Sequence, residues 1–89
     1  LDGFPNWEVI HTPGHSWDSV CLFHHPTASL ITGDTLLGSG SKGRLVHPAI
    51  YDNPVAMRRS VEKLRRLKPR TVYPGHGSFF SGDDILNHL

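Results

Sequence analysis

Three times in this chain a β-prone run stops at a glycine-containing turn that carries an imidazole or a carboxylate, and that recurrence limits the folds open to it. Trp7-Glu8-Val9-Ile10 runs into His11-Thr12-Pro13-Gly14-His15-Ser16, Ser29-Leu30-Ile31 into Thr32-Gly33-Asp34-Thr35, and Thr71-Val72-Tyr73 into Pro74-Gly75-His76-Gly77. Strands of one sheet bring their ends to a common rim, and loops on a rigid scaffold are where functional side chains concentrate. The pattern therefore predicts a sheet with His15, Asp34 and His76 gathered along one edge. Each residue alone is ordinary. His15 reads equally well as a turn histidine, and Asp34 after a glycine is a common turn residue. His76 between two glycines is harder to read that way, because flanking glycines mark a backbone that something approaches closely.

Local patterns place the other elements. Val20-Cys21-Leu22-Phe23-His24 is a strand, dense enough in apolar side chains to be covered on both faces, and it pairs with the run from Ser29 across the Pro26-Thr27-Ala28 reversal. Residues 16–19 form a turn or a single helical turn. Glycine-rich residues 38–43 are expected to be irregular, and 44–52 a loop with at most a short extended piece. Asn53-Pro54 is a helix start, with Asn as N-cap and Pro in the first turn. Met57, Val61, Leu64 and Leu67 then recur at helical spacing, opposite Arg58, Arg59, Lys63, Arg65 and Arg66, and Pro69 stops the helix. Residues 70–73 are a fourth strand, and Ser81-Gly82-Asp83-Asp84 resembles a capping box opening a short last helix. This order gives an α/β fold with helices against a mixed sheet.

At 89 residues the chain is at most one small domain, a size that buries only roughly 60% of the unfolded surface. Cys21, the single cysteine, excludes an internal disulfide. A formal charge of +1 gives no bulk argument for nucleic acid or an anionic membrane. No apolar run approaches the ~18 residues of a membrane span, and no signal-peptide pattern opens the chain, so a cytoplasmic location is expected. The first residue is Leu1 rather than Met, which leads us to expect a fragment or a processed product. Gly38-x-Gly40-x-x-Gly43 formally matches a dinucleotide fingerprint, but no helix start follows it and the reading is rejected. The basic face of the helix reads as a solvated face, so nucleic acid is not the expected partner.

Seven histidines are a surplus that asks for an explanation. Imidazole and carboxylate suit Zn, and also Fe or Mn; without thiolates nothing favours a structural zinc site. Thr12-Pro13-Gly14-His15-Ser16, Thr32-Gly33-Asp34-Thr35 and Tyr73-Pro74-Gly75-His76-Gly77, in that order, resemble the C-terminal half of the metallo-β-lactamase-fold hydrolases. The resemblance covers residues 7–78. It implies one half of a four-layer αββα sandwich over residues 1–89, with the N-terminal half absent. It also implies that His15 binds a first metal, that Asp34 bridges two metals and that His76 binds the second, with zinc as the expected ion.

The family's remaining ligands come from a His-x-His-x-Asp-His motif that this sequence lacks. The chain by itself is therefore expected to bind metal weakly and to be inactive. His11 is expected to support the site rather than bind metal. Related enzymes place substrate-contacting side chains in the segment that here holds His47, Tyr51 and Lys42. Trp17-Asp18 and residues 36–40 look closest to the glyoxalase-II-like and lactamase-like nuclease branches. The parent protein is accordingly expected to hydrolyse a small-molecule thioester or ester, with RNA phosphodiester hydrolysis as the alternative. A non-catalytic interaction module is the reading from a different class. The expected partner is the missing half, or a second copy meeting the exposed sheet face.

Overall fold

The computed structural model describes residues 4–39, 41, 43–48 and 53–89. Its elements are strands β1 (Trp7–His11), β2 (Val20–His24), β3 (Ser29–Gly33), β4 (Leu37–Ser39) and β5 (Arg44–Val46), helix α1 (Pro54–Arg66), and strands β6 (Thr71–Pro74) and β7 (Phe80–Ser81). Five strands form one sheet in the order β1-β2-β3-β6-β7, and β4 pairs with β5 apart from it. The neighbours are antiparallel except β3 and β6, which run parallel. Because β2 reverses β1 and β3 reverses β2, strands β1, β3 and β6 all point the same way. Their C-terminal ends, and hence the three glycine turns, lie along one rim. The architecture is the expected α/β arrangement of a mixed sheet with a helix.

One face of the sheet is closed. Ile10, Cys21, Phe23, Leu30 and Val72 form a single core with Met57, Val61 and Leu64 of α1 and with Leu36, Leu45 and Leu86. Full burial of a side chain such as Leu30 or Leu64 contributes about 1.5–3 kcal/mol, so this face anchors the rim above it. The opposite face is open. Val9, Leu22, Ile31 and Tyr73 are aligned by register across β1, β2, β3 and β6, and Val9, Ile31 and Tyr73 are exposed. The expectation that β2 is covered on both faces therefore fails for the described residues. Cys21 and Phe23 are buried, but Val20 is exposed and Leu22 is only half-buried, since they belong to the open face.

α1 begins as expected. Asn53 Oδ1 accepts from the amides of Val55 (3.1 Å) and Ala56 (3.0 Å), satisfying two of the free donors of the first turn. The helix ends at Leu67, and Lys68 follows at φ 52°.

Two further expectations are corrected. Gly38 is part of a strand, β4, paired with β5 through Gly38 and Leu45. Its glycine serves a close backbone approach by Ser78 rather than flexibility. Residues 82–88 form successive turns instead of a last helix. Asp84 sits at φ 57°, a left-handed conformation that interrupts the run, and the Asn87→Asp84 and Leu89→Leu86 amide-to-carbonyl bonds span three residues.

Candidate metal centre

The turn after β1 is held from behind by α1. Ser60 Oγ, almost fully buried, donates to the Pro13 carbonyl at 2.7 Å, Lys63 Nζ to the His11 carbonyl at 2.8 Å, and the Asn53 amide to the Gly14 carbonyl at 3.0 Å. Gly14 lies at φ 143°, and a Cβ placed there would meet the Met57 Cα at 2.6 Å. The absence of a side chain is what lets the turn seat on the helix. His11 Nε2 donates to the Trp17 carbonyl at 2.8 Å, and its ring meets that of Trp17 edge-on at 5.5 Å. His11 thus closes the loop that carries His15.

The other two turns meet backbone to backbone. The Gly75 amide donates to the Gly33 carbonyl at 2.8 Å, and the Gly38 amide to the His76 carbonyl at 3.0 Å. Gly77 takes φ 86°, and a Cβ there would overlap the Gly38 carbonyl. The glycines flanking His76 are accounted for: β4 and the Asp34 turn press against it on both sides.

These supports bring the three residues together around Asp34. His15 Nε2 lies 3.9 Å from Asp34 Oδ2, and His76 Nε2 lies 3.2 Å from Asp34 Oδ1. One carboxylate therefore faces an imidazole at each oxygen. Side-chain exposure rises from 30% at His15 through 49% at Asp34 to 77% at His76, so one end of the row is sheltered and the other is open. Among the described residues no three His, Cys, Asp or Glu are grouped to hold a single ion by themselves. Imidazole and carboxylate are donors of the type that binds divalent metal, and further ligands would be needed to complete the coordination of any ion.

The remaining candidates lie elsewhere or outside the described residues. His47 lines a groove of about 460 Å³ with Pro54, Met57, Arg58, Val61 and Glu62, a lining that includes none of His15, Asp34 and His76. Burial lowers the His47 pKa from its ordinary value, and the charge of His88 adds to that. Lys42 and Tyr51 fall outside the described residues. His88 is tied down, its Nε2 donating to the Leu45 carbonyl at 2.6 Å. His24 and His25 bond to Thr27 and Glu8 on the surface.

The sequence reading passed over Thr12 and Thr35. Both hydroxyls are essentially buried and lie 3.2 Å apart, and Thr12 Oγ1 is also 3.3 Å from Cys21 Sγ. A threonine in both the His15 turn and the Asp34 turn was the available signal. Cys21 is a free, fully buried thiol. Burial raises its thiol pKa, an effect that hydrogen bonds from Thr12 and Thr35 partly offset.

Comparison with known proteins agrees with this architecture. The sequence is 33% identical over 82 residues to a probable metallo-hydrolase of Bacillus subtilis, YqjP, across 86% of this chain and 26% of that protein. It is 37% identical over 70 residues to an atrochrysone carboxyl ACP thioesterase of Aspergillus fumigatus, across 79% of this chain and 20% of that protein. The protein TTHA1623, solved in a di-iron-bound form, superposes with a TM-score of 0.64 at 35% identity, covering 85% of this chain and 37% of that one. The chain thus spans about a fifth to a quarter of the length of these two relatives. Residues 1–76 match the family model of the metallo-beta-lactamase superfamily. With the strand-end turns, the mixed sheet and these likenesses in agreement, the chain belongs to the metallo-beta-lactamase superfamily.

Proposed function

We propose that this chain carries one side of a two-metal hydrolytic centre, with His15 and His76 each binding one ion and Asp34 lying between the two. The observation that carries the proposal is the placement of the two imidazoles at opposite oxygens of one carboxylate. Zinc is the expected ion, and the di-iron form of TTHA1623 supports iron as compatible with such a donor set. The ions supply Lewis acidity and bring the pKa of water at the site toward neutrality. Three side chains leave each ion short of ligands, so the 89 residues alone bind metal weakly and do not catalyse efficiently.

The reaction we propose for the whole protein is hydrolysis of a thioester or other ester, a class supported by the likeness to a thioesterase. RNA phosphodiester hydrolysis is the alternative chemistry. Two of the basic side chains of α1 are already engaged, Glu62 pairing with Arg65 at 2.7 Å and with Arg66 at 3.8 Å. Full-length protein loaded with zinc, manganese or iron, offered acyl thioesters, simple esters and RNA, distinguishes the two. Thioester or ester turnover is expected. RNA cleavage without either would defeat the assignment, and turnover at ordinary enzyme rates by the isolated 89 residues would defeat the half-site reading.

The open face of the sheet supports a proposal about partners. An apolar row across four strands marks an interface, and the rest of the domain is the occupant we propose for it. The second reading is a second copy of the chain on the same face. Sedimentation separates them: the full-length protein is expected to leave this face covered and the isolated chain to self-associate. A stable compact monomer of the isolated chain would count against self-association through this face.

A further inference from the structure

The His15 and Asp34 turns are joined below the rim by a bond that no backbone group makes. Thr12 precedes His15 by three residues and Thr35 directly follows Asp34. Their hydroxyls are 23 positions apart in sequence yet meet at 3.2 Å, at 0% and 1% exposure. The surroundings fix the pair. The Thr12 amide donates to the Ser19 carbonyl at 2.9 Å and the Thr35 amide to the Thr32 carbonyl at 3.1 Å, so neither backbone is free to drift. Cys21 lies beneath, its thiol within 3.3 Å of the Thr12 hydroxyl and 3.8 Å of the Thr32 carbonyl. Two buried hydroxyls are costly to bury without partners, and here each is the other's partner. They connect the two turns whose side chains face each other at 3.9 Å.

We infer that Thr12 and Thr35 are positioning residues whose hydroxyl bridge sets the separation of His15 from Asp34. This rests on the reading of His15 and Asp34 as metal ligands. The bridge acts on one side of the centre only, because the His76 turn is joined to the Asp34 turn through the Gly75 and Gly33 backbone. A change at the bridge therefore alters the ion at His15 more than the ion at His76. It works through geometry, since both threonines are essentially buried.

The test uses the full-length protein reconstituted with cobalt(II), reading the d–d absorption spectrum, the affinity of each equivalent bound and urea unfolding. Thr12→Val keeps the shape and deletes the hydroxyl; Thr12→Ser keeps the hydroxyl. Outer partners of metal ligands typically change affinity 10–100-fold, and Thr12→Val is expected to weaken one of the two equivalents by roughly tenfold with an altered spectrum. Thr12→Ser is expected to restore the native spectrum. Thr12→Val combined with Thr35→Val removes both partners together, which relieves the unpaired hydroxyl and returns most of the stability. The altered spectrum should persist in that double variant. If stability and spectrum recover together, the bridge is only part of the core and the inference falls. His15→Ala separates this from the ligand reading. Cobalt binding unchanged by His15→Ala overturns the ligand reading and the inference with it. Binding lost with His15→Ala but native in every threonine variant overturns the inference alone.

Discussion

The turns that present His15 and His76 lie on the same rim, follow parallel-pointing strands and face the same carboxylate, yet they are held in opposite ways. The His15 turn is gripped by side chains: Ser60 and Lys63 from α1, the buried Thr12 and Thr35 hydroxyls, and His11 closing the loop. The His76 turn has glycines on both sides and is held by amide-to-carbonyl bonds to Gly33 and Gly38. Side-chain bracing ties His15 to the core and leaves it 30% exposed, whereas backbone bracing leaves His76 77% exposed. One rim thus carries an imidazole sheltered by side-chain bracing and another on an exposed turn braced through the backbone. The strongest test is the residue that both sides share. Asp34→Ala is expected to lose both ions, and His15→Ala and His76→Ala one each, with losses beyond the roughly 10–100-fold typical of outer partners. Metal content after dialysis reads this directly. Equal loss from all three variants would mean that the ions do not bind as separable halves.

The glycines give the next largest contrast. Gly14→Ala forces a side chain into the Met57 backbone at φ 143°, where strain and overpacking each cost about 1–3 kcal/mol. Because α1 closes the core, that loss should be global and visible in urea unfolding. Gly77→Ala would drive a Cβ into the Gly38 carbonyl at φ 86°, a strain of about 1–3 kcal/mol that falls on the exposed turn and β4 rather than on α1. Its main effect should be loss of the ion held by His76. If Gly77→Ala unfolds the protein as readily as Gly14→Ala, the two turns are braced alike.

What was legible in the sequence follows from range. The strand-end turns, the β2–β3 hairpin and the α1 start at Asn53-Pro54 are written within a few residues, and so is the gathering of His15, Asp34 and His76 on one rim once the strands run parallel. The β4 strand was hidden because Gly38 argues locally for a loop, and its reason lies in a backbone brought in from Ser78. The proposed last helix had a good capping pattern at Ser81-Gly82-Asp83-Asp84, and the left-handed Asp84 overrode it. Thr12–Thr35 and Ser60–Pro13 join positions 23 and 47 apart, and no local pattern announces such pairs. His47 does line a groove, but among the described residues the rest of that lining comes from α1 and Leu89, a meeting no local pattern announces.

A smaller effect separates the helix-braced turn from its neighbour. Ser60→Ala deletes the bond to the Pro13 carbonyl, a loss of about 1 kcal/mol for a buried hydrogen bond of this kind. The ion at His15 is expected to bind more weakly while the ion at His76 is untouched, as cobalt titration would show. Equal weakening of both would mean that α1 braces the whole rim rather than one turn.

The smallest effect is the pH response of the thiol beneath the Thr12–Thr35 bridge. Burial raises the Cys21 pKa above its ordinary value of 9.0, with the two threonine hydroxyls partly opposing the rise. The folded chain therefore holds the thiol proton more tightly than the unfolded chain. Below the unfolded pKa this group's contribution to stability is fully present. It declines as pH rises through the folded value, at no more than about 1.4 kcal/mol per pH unit. Other groups titrate in the same range, so the quantity to measure is the difference in unfolding free energy between native protein and Cys21→Ala from about pH 8 to about pH 10.5. That difference should shift against the native protein as pH rises. In a Thr12→Val background the hydroxyl that opposes the rise is gone, so the shift should grow. A shift of the same size with and without the Thr12 hydroxyl would show that the thiol takes no part in bracing the His15 side.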